Sequence, residues 1–421
     1  MTEKSANPFK PLGRGYPFYF LSIGISLLII FTRRPDAFLN PQFWAEDGRV
    51  WYAEAYERGF LYSVTTPEAG YLQTISRLTA SFSQLFPLDY APLIFNAVAV
   101  FVKLLVAQFI LSNRTTAFLP ALWMRLFAAF IYLALPHSYE THANLTNAQW
   151  HLALLSCLII IGAPASTRAG KIFDFAVIFI SALSGPFCLL LLPVALIKYY
   201  RDGDKWLLTL TIVLAAGSLI QGFSLLSADR PSKAPLGANI NLFLRILGGH
   251  LFFSSIFGET GFRWTTNRSV WKDGVAVIIN LCGLALVVYA LIKANFELRL
   301  LITFSALIVA AALVSPAITN EKTQWEFMRY PPVGSRYWLI PIFCFLLLLF
   351  WTWRAAEYKF LRRLAAGLLL LAPIGIILDW RYPPFQDFDF PKHAAEFNAA
   401  QSGSEVVIPI NPNWEMRLRK K

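Results

Sequence analysis

The sequence predicts an all-α polytopic membrane protein, and three observations predict it. Of its 421 residues, 56% are hydrophobic and only 15% charged, against roughly 25% charged in a soluble domain. Apolar runs of about 20 residues, the length that crosses a bilayer, recur along the whole chain. The mean hydropathy is +0.51. The net charge of +12 does not point to nucleic acid, because much of the excess lies in short connections between runs, as the positive-inside rule expects. Cys157, Cys188, Cys282 and Cys344 each lie in an apolar run. They lack metal-ligand spacing and the placement of a disulfide framework.

Lys4, Lys10 and Arg14 precede a first span at 17–32 and favour a cytoplasmic N-terminus, with Arg33 and Arg34 opposing. No small-residue cleavage site follows that run, so a retained span is expected, not a cleaved signal peptide. The loop 33–90 then lies outside. Within it Leu72, Ile75, Leu78, Phe82 and Leu85 recur at helical spacing, as in an amphipathic helix lying along the interface. Spans follow at 91–111 and 118–135, joined on the inside by Arg114. The loop 137–147 has no Lys or Arg, which places it outside, and a span at 148–161 returns to Arg168 and Lys171.

The segment 172–197 is broken by Ser184-Gly185-Pro186 and has basic residues at both ends. It is too short for two full crossings, which take about 40 residues. A re-entrant pair of half-helices is expected, with one kinked span as the alternative. Spans at 206–227, 274–292, 300–318, 337–353 and 364–379 complete the set. The outer loop 228–273 carries an apolar, interfacial helix at 240–257, and 319–336 is a second outer loop. Counting the broken segment, about 9–11 membrane helices are expected. The transmembrane domain is 1–379, followed by an outer-face tail 380–421 with a strand-like Val406-Val407-Ile408. The basic end of that tail, 417–421, runs against the positive-inside rule.

The chemistry is expected in the first outer loop. Trp44-Ala45-Glu46-Asp47-Gly48-Arg49 sets two adjacent carboxylates just outside a span. At the start of a helix they point about 100° apart. One can cap the helix while the other faces a cleft as a general base, or as a ligand to a divalent cation, Mg or Mn. The bland alternative is a pair of solvated loop charges.

The run Glu46-Asp47-Gly48-Arg49 through Ala53-Glu54 to Gly59, in the first outer loop after the first span, resembles the GT-C class of membrane glycosyltransferases. That class includes the protein O-mannosyltransferases and the lipid A aminoarabinose transferases, and its hydropathy layout is similar to most of this chain. The resemblance implies transfer of a sugar from a polyprenyl-phosphate donor to a glycan, lipid or protein acceptor, with inversion, at the outer face. It implies Asp47, with Glu46, as base or metal ligand. The order Glu-Asp departs from the Asp-first order of many relatives, which leaves open which carboxylate is the base. An Arg-Tyr pair entering a late span also resembles the class. It makes Arg336, with Tyr337, the expected donor-phosphate site, since guanidinium grips phosphate bidentately. Arg329 and Lys322 are weaker candidates. The alternative for Arg336, Tyr337 and Trp338 is an interfacial anchor.

Other polar residues are candidates for a sugar- or acceptor-facing rim: Trp44, Tyr71, Asn147, Gln149, Trp150 and His250. His137, His142 and His151 beside Glu140 make a metal site conceivable, without ligand spacing. Asn144-Leu145-Thr146 matches a glycosylation acceptor, a pattern frequent by chance. His250 on its apolar stretch also reads as a satisfied core residue. Lys103 and Arg125 are expected to snorkel to the inner interface. Arg263, Trp264 and Arg268 are candidates for donor or acceptor contact. The competing functional class is a transporter or flippase of lipid-linked sugars, favoured by the broken segment. A third is a non-catalytic assembly subunit. The short loops suggest a bacterial inner membrane, with the outer face periplasmic or extracellular.

Overall fold

The computed structural model describes residues 15–228, 232–268, 271 and 273–421. Lys4, Lys10 and Arg14 lie outside the described residues. In chain order the helices begin with α1 (Tyr16–Arg33), the short α2 (Asp36–Leu39), and a π-helical stretch (Asp47–Tyr52) that continues into α3 (Ala53–Thr65). Then come α4 (Thr74–Ser83), α5 (Ala91–Leu111), α6 (Leu122–Leu133), α7 (Ala148–Ile161), α8 (Arg168–Ala182), α9 (Phe187–Asp202) and α10 (Lys205–Ser227). After α11 (Ile240–Ile246) a second π-helical stretch (Leu247–Phe253) leads into α12 (Ser254–Asn267). The chain closes with α13 (Asp273–Lys293), α14 (Phe296–Val314), α15 (Gln324–Met328), α16 (Leu339–Ala355), α17 (Lys359–Leu378), α18 (Phe390–Ala399) and strands β1 (Glu405–Ile410) and β2 (Trp414–Arg419).

Seven helices among the described residues are long and apolar enough to cross a membrane. One of these, the continuous helix Ile240–Asn267, begins and bends back on one face. Gly237, just before it, lies against Thr323, and its kink at Gly258 (φ +71°) lies against the Asp379 carboxylate. It packs against the halves of α13, α16 and α17 nearest that face: the Asn280 amide donates to the Leu244 carbonyl at 2.7 Å, Phe252 lies against Gly283 and Phe345, and Gly375 lies against Gly258. Among the described residues eleven helices link loops on one face to loops on the other: α1, α5 to α10, α13, α14, α16 and α17. α6 and α7 are shorter than a full span.

The broken segment is a helical hairpin and not one kinked span. Its helices are longer than the apolar run alone, because Arg168 and Lys171 begin α8, and Lys198 and Arg201 end α9. At its feet Arg114 forks onto Asp174, and Lys198 meets Glu297 at 3.0 Å. At its tip the Gly185 N–H donates to the Leu72 carbonyl at 2.9 Å, and the Thr74 N–H donates to the Leu183 carbonyl at 3.0 Å. The tip thus reaches the first loop, so both halves traverse, each about 23 Å long at 1.5 Å per residue. Gly217 of α10 sits against Ala182, where a Cβ would come within 2.6 Å of that side chain. Small residues let the backbones approach this closely.

The two faces differ in polarity. One gathers Arg114, Lys198, Lys293 and their acidic partners Asp174, Glu297 and Glu357. The other carries the first loop, the 134–147 loop, the 319–336 loop and the tail. Arg125 bonds the Ser112 carbonyl and Asn113 at the basic face, as expected. Lys103 does not snorkel there. It is 1% exposed, and its ammonium lies 3.0 Å from His142 Nδ1, on the side of the acidic loop.

The tail packs on the first loop. Phe43, Trp51 and Tyr52 share one apolar cluster with Phe390, Phe397, Ile408, Ile410 and Met416. β1 and β2 form an antiparallel hairpin, the one sheet among the described residues. Its basic end is held by the loop: the Arg419 N–H donates to Glu57, and Lys421 reaches the Tyr56 carbonyl. That local pairing accounts for basic residues on this face.

Candidate active site

The two adjacent carboxylates part company. Asp47 is 1% exposed. Its Oδ1 accepts from the Thr146 N–H and hydroxyl, both at 2.8 Å, and its Oδ2 accepts from the Leu145 N–H at 3.2 Å. Burial pushes its carboxyl up to about 8. Asp47 is thus an anchor that ties the π-helical stretch to the loop ahead of α7. Its oxygens are taken, so it faces no cleft, and the expected role as leading base does not fit it. Glu46 is half-buried and meets its own backbone N–H. Burial raises its carboxyl above the ordinary glutamate value, with Glu140 adding to the rise and Arg336 and Arg49 opposing it.

Local backbone geometry aims Glu46. Ala45 adopts φ +49°, a left-handed conformation that costs a non-glycine residue. The tail holds it there: the Ala45 N–H donates to the Asn411 carbonyl at 2.6 Å, and the Asn411 N–H to the Phe43 carbonyl at 3.2 Å. The π-helical stretch begins at the next residue but one, and such bulges are frequent at functional sites. Gly48 leaves room for the tail, since a Cβ there would meet Ile410 and Phe43 at 3.1 Å.

Arg336 comes from the other end of the chain. Gly334 (φ +68°) reverses the loop and starts the turn Ser335–Trp338 ahead of α16. The guanidinium forms an ion pair with Glu140, and its second arm donates to the Ala317 carbonyl at 2.9 Å. Glu140 also accepts from the Arg336 N–H at 3.0 Å and the Ser335 hydroxyl at 3.2 Å. Tyr337 lies under the guanidinium, 4.9 Å from ring centre to Arg336 Cζ. Half-buried Tyr71 lies within electrostatic reach of Tyr337, Arg336 and Glu46, and meets the Gln149 amide. Burial pushes its hydroxyl up to about 12. Gln149 is packed on Gly185 at the hairpin tip, where a Cβ would come within 2.3 Å of its oxygen. Trp150 packs edge-on against Tyr337 at 5.5 Å, and its indole N–H has no partner among the described residues.

The expected residues Glu46, Tyr71, Gln149, Trp150, Arg336 and Tyr337 therefore converge. Asn147 stands behind them, donating to the Glu140 carbonyl and to Asn144 Oδ1, both at 2.9 Å, and so shapes the Glu140 loop. Three expected residues lie elsewhere. Arg329 pairs with Glu326 at 2.5 Å and stacks on Tyr330. His250 is fully buried, bonded to His137 at 2.9 Å and to the Met328 carbonyl at 2.7 Å, and stacked on Trp338. It is a satisfied core residue. Trp44 stacks on Phe385 at 4.9 Å, and the buried Arg34 guanidinium lies on the other neighbours of that ring, 4.3 Å from Phe385 and 4.6 Å from Tyr139. Arg263 pairs with Glu259, and Arg268 lies over Trp264.

Glu140 is the site residue that sequence reasoning passed over. Its signal was present: it is the one charge of either sign in a loop of histidines and amides. The residues offered for a divalent cation do not fit one. Asp47 has its oxygens occupied, and Glu46 faces a guanidinium. Among the described residues no group of three or more His, Cys, Asp or Glu converges as metal ligands. His142 is buried beside Lys103, which together hold its imidazole well below the usual range and so uncharged.

No protein-family model matches the chain, and no curated protein matches it. Among solved structures it is similar to ArnT from Cupriavidus metallidurans bound to undecaprenyl phosphate. Identity is 18% over 87% of this chain and 76% of that one, with a TM-score of 0.37. It is likewise similar to the apo state of that protein, with 16% identity over 86% and 75% and a TM-score of 0.36. Likeness at this level carries no statement about activity.

Proposed function

We propose that this polytopic membrane protein is a GT-C-like glycosyltransferase that takes a sugar from a polyprenyl-phosphate donor at the face of the acidic loop, with Glu46 as general base and Arg336 holding the donor phosphate. One observation carries the reading. A carboxylate with a raised pKa and, among the described residues, no fixed side-chain partner lies within electrostatic reach of an arginine paired with Glu140. A base works best when its pKa is shifted toward the operating pH, and a guanidinium fork matches phosphate oxygens.

In this reading the acceptor hydroxyl oxygen attacks the anomeric carbon and forms the glycosidic bond. The bond from that carbon to the phosphate oxygen breaks, and polyprenyl phosphate leaves with the electron pair. The hydroxyl proton passes to Glu46. Arg336 neutralises the charge that grows on the phosphate, which arginine does most effectively in a site shielded from water. Attack opposite the leaving group inverts the anomeric centre. Tyr71, Gln149 and Trp150 line the space where the sugar would lie. The basic residues on the opposite face support a periplasmic or extracellular position for this one.

The test is transfer by purified protein from a panel of radiolabelled polyprenyl-phosphate sugars, with membrane extract as the acceptor source. Transfer from one donor, lost in Glu46→Gln at unchanged folding, is the expected result. Full transfer by Glu46→Gln overturns the base. Substrate crossing sealed vesicles with no new glycosidic bond would establish transport instead.

A further inference from the structure

A cleft of about 510 Å³ opens between α3 and the β1–β2 hairpin, within the usual size of small-molecule sites. Its lining is polar on both sides, and the proposed chemistry above makes no use of it. Its charged lining is balanced: Arg49, Arg58 and Arg417 stand against Glu54, Glu57 and Glu415. The half-buried Trp414 ring stands in the wall with the Arg49 guanidinium 5.0 Å from its centre. Many of these groups are already oriented. Glu54 pairs with the buried Arg77, Arg417 pairs with Glu415 at 2.9 Å, and Glu57 accepts the Arg419 N–H at 3.2 Å.

Arg49 links the cleft to the site. It lines the cleft, lies three residues along the chain from Glu46, and its charge acts on the Glu46 carboxylate as that of Arg336 does. Glu46 is therefore within electrostatic reach of two arginines, one paired with Glu140 and one in the wall of this cleft. A base that must take a proton from an acceptor needs that acceptor on one side and the donor on the other.

We propose that this cleft is the acceptor subsite, and that it takes a hydroxyl-rich sugar carrying no net charge. The proposal rests on the transferase reading for its role, though not for sugar binding itself. Carboxylates, guanidinium groups and the Asn413 amide supply donors and acceptors for hydroxyls, and an indole face packs on a sugar ring. Equal numbers of opposite charges offer no net attraction to a polyanion, which a phosphate- or uronate-rich acceptor would need. The cleft is formed by the first loop and the tail together, so the tail supplies half of the acceptor site.

The experiment is saturation-transfer NMR on the full chain in lipid nanodiscs, with cellotriose, maltotriose, chitotriose and trigalacturonate as probes. Saturation should reach at least one neutral trisaccharide, and fall at least fivefold in Trp414→Ala. Arg49→Gln, an exposed position, gives the same loss without removing an aromatic side chain. Melting temperatures of both variants should match the parent. The proposal is overturned if no neutral probe is saturated, if both variants keep the signal, or if trigalacturonate is saturated most. The two readings separate cleanly. Sugar binding that needs Trp414 in a protein that forms no glycosidic bond keeps the cleft and removes the transferase. Transfer that needs Glu46, with an acceptor KM indifferent to Trp414, does the reverse.

Discussion

Two polar clusters share the acidic-loop face, and they are built on opposite plans. At Asp379 both carboxylate oxygens are filled: they take N–H groups from His137 at 2.9 Å, Glu259 at 2.6 Å and Thr260 at 3.0 Å, and the Thr260 hydroxyl at 2.8 Å. It clamps the loop after α6, the kink of α12 and the end of α17 to one point. Around Arg336 the plan is looser. Glu140 is half-buried, and among the described residues Glu46 has no fixed side-chain partner and the Gln149 carbonyl oxygen and Trp150 indole N–H have no hydrogen-bond partner. A filled cluster of buried hydrogen bonds specifies a fold. A partly filled one on the same face keeps capacity for a ligand.

That contrast can be broken at its strongest point first. Glu46→Gln should slow sugar transfer by about 10²–10⁴, the span of a lost general base, with no change in melting temperature. Where Glu46 is the base, activity rises with pH through its raised pKa, so the acidic limb of the pH–rate profile should lie above the ordinary glutamate value of 4.5. An acidic limb that survives in Glu46→Gln would assign it to another group. Arg336→Lys comes next. It keeps the charge and loses the fork, leaving Glu140 partly unpaired, and should cost about 2–3 kcal/mol in kcat/KM for the donor, read from initial rates at several donor concentrations.

The filled cluster should respond in stability instead. Asp379→Asn weakens charge-assisted bonds to three backbone donors and should lower unfolding free energy by about 1–3 kcal/mol, while the folded fraction keeps its turnover. A fall in kcat at unchanged stability would erase the distinction between the clusters. Asp47 gives a pH-shaped effect. Its folded pKa of about 8 lies above the ordinary aspartate value of 3.8, so the folded state holds a proton that the unfolded state gives up between those values. Its contribution to stability is present at low pH and is lost as pH rises through that window. Asp47→Asn should flatten the fall, measured by melting at about pH 5 to about pH 8, above the usual carboxyl range. Smallest of all, Arg329→Ala breaks an exposed ion pair that contributes about 0–1 kcal/mol, and donor KM should not move.

Much of the scaffold was legible from hydropathy. Ala91–Leu111 and Ala148–Ile161 fall where apolar runs begin after turn residues and end at polar ones. The interfacial helix near 240 and the amphipathic segment within 71–86 were readable from apolar spacing without a full-length span. The hairpin 168–202 was readable as broken, since Gly185-Pro186 cannot continue a helix. Its length was not, because charged Arg168, Lys171 and Lys198 are helical although they lie outside the apolar run. In the site, Arg336 was visible as an arginine where a span starts. Glu140 was not, since no periodicity joins residues 196 apart. Nor could adjacency divide Glu46 from Asp47: the difference is the Thr146 backbone, which only the folded loop brings to Asp47. Lys103 was misplaced because snorkelling weighs distance to the interface, whereas a buried histidine offered the ammonium a nearer acceptor.

The grip of Asn411 on Phe43 and Ala45 also constrains the chain as a thread. Between the first loop and the tail lie α5 to α10, α13, α14, α16 and α17, ten traverses. Ten is even, so loop and tail meet on one side. Had α8 and α9 been a single kinked crossing, the count would be nine and the tail would be stranded across the bilayer from Glu46. The strand that completes the backbone around the carboxylate is thus also a parity check on the insertion of everything between them. A variant that gained or lost one crossing would carry its acid motif unaltered and still be unable to assemble the site.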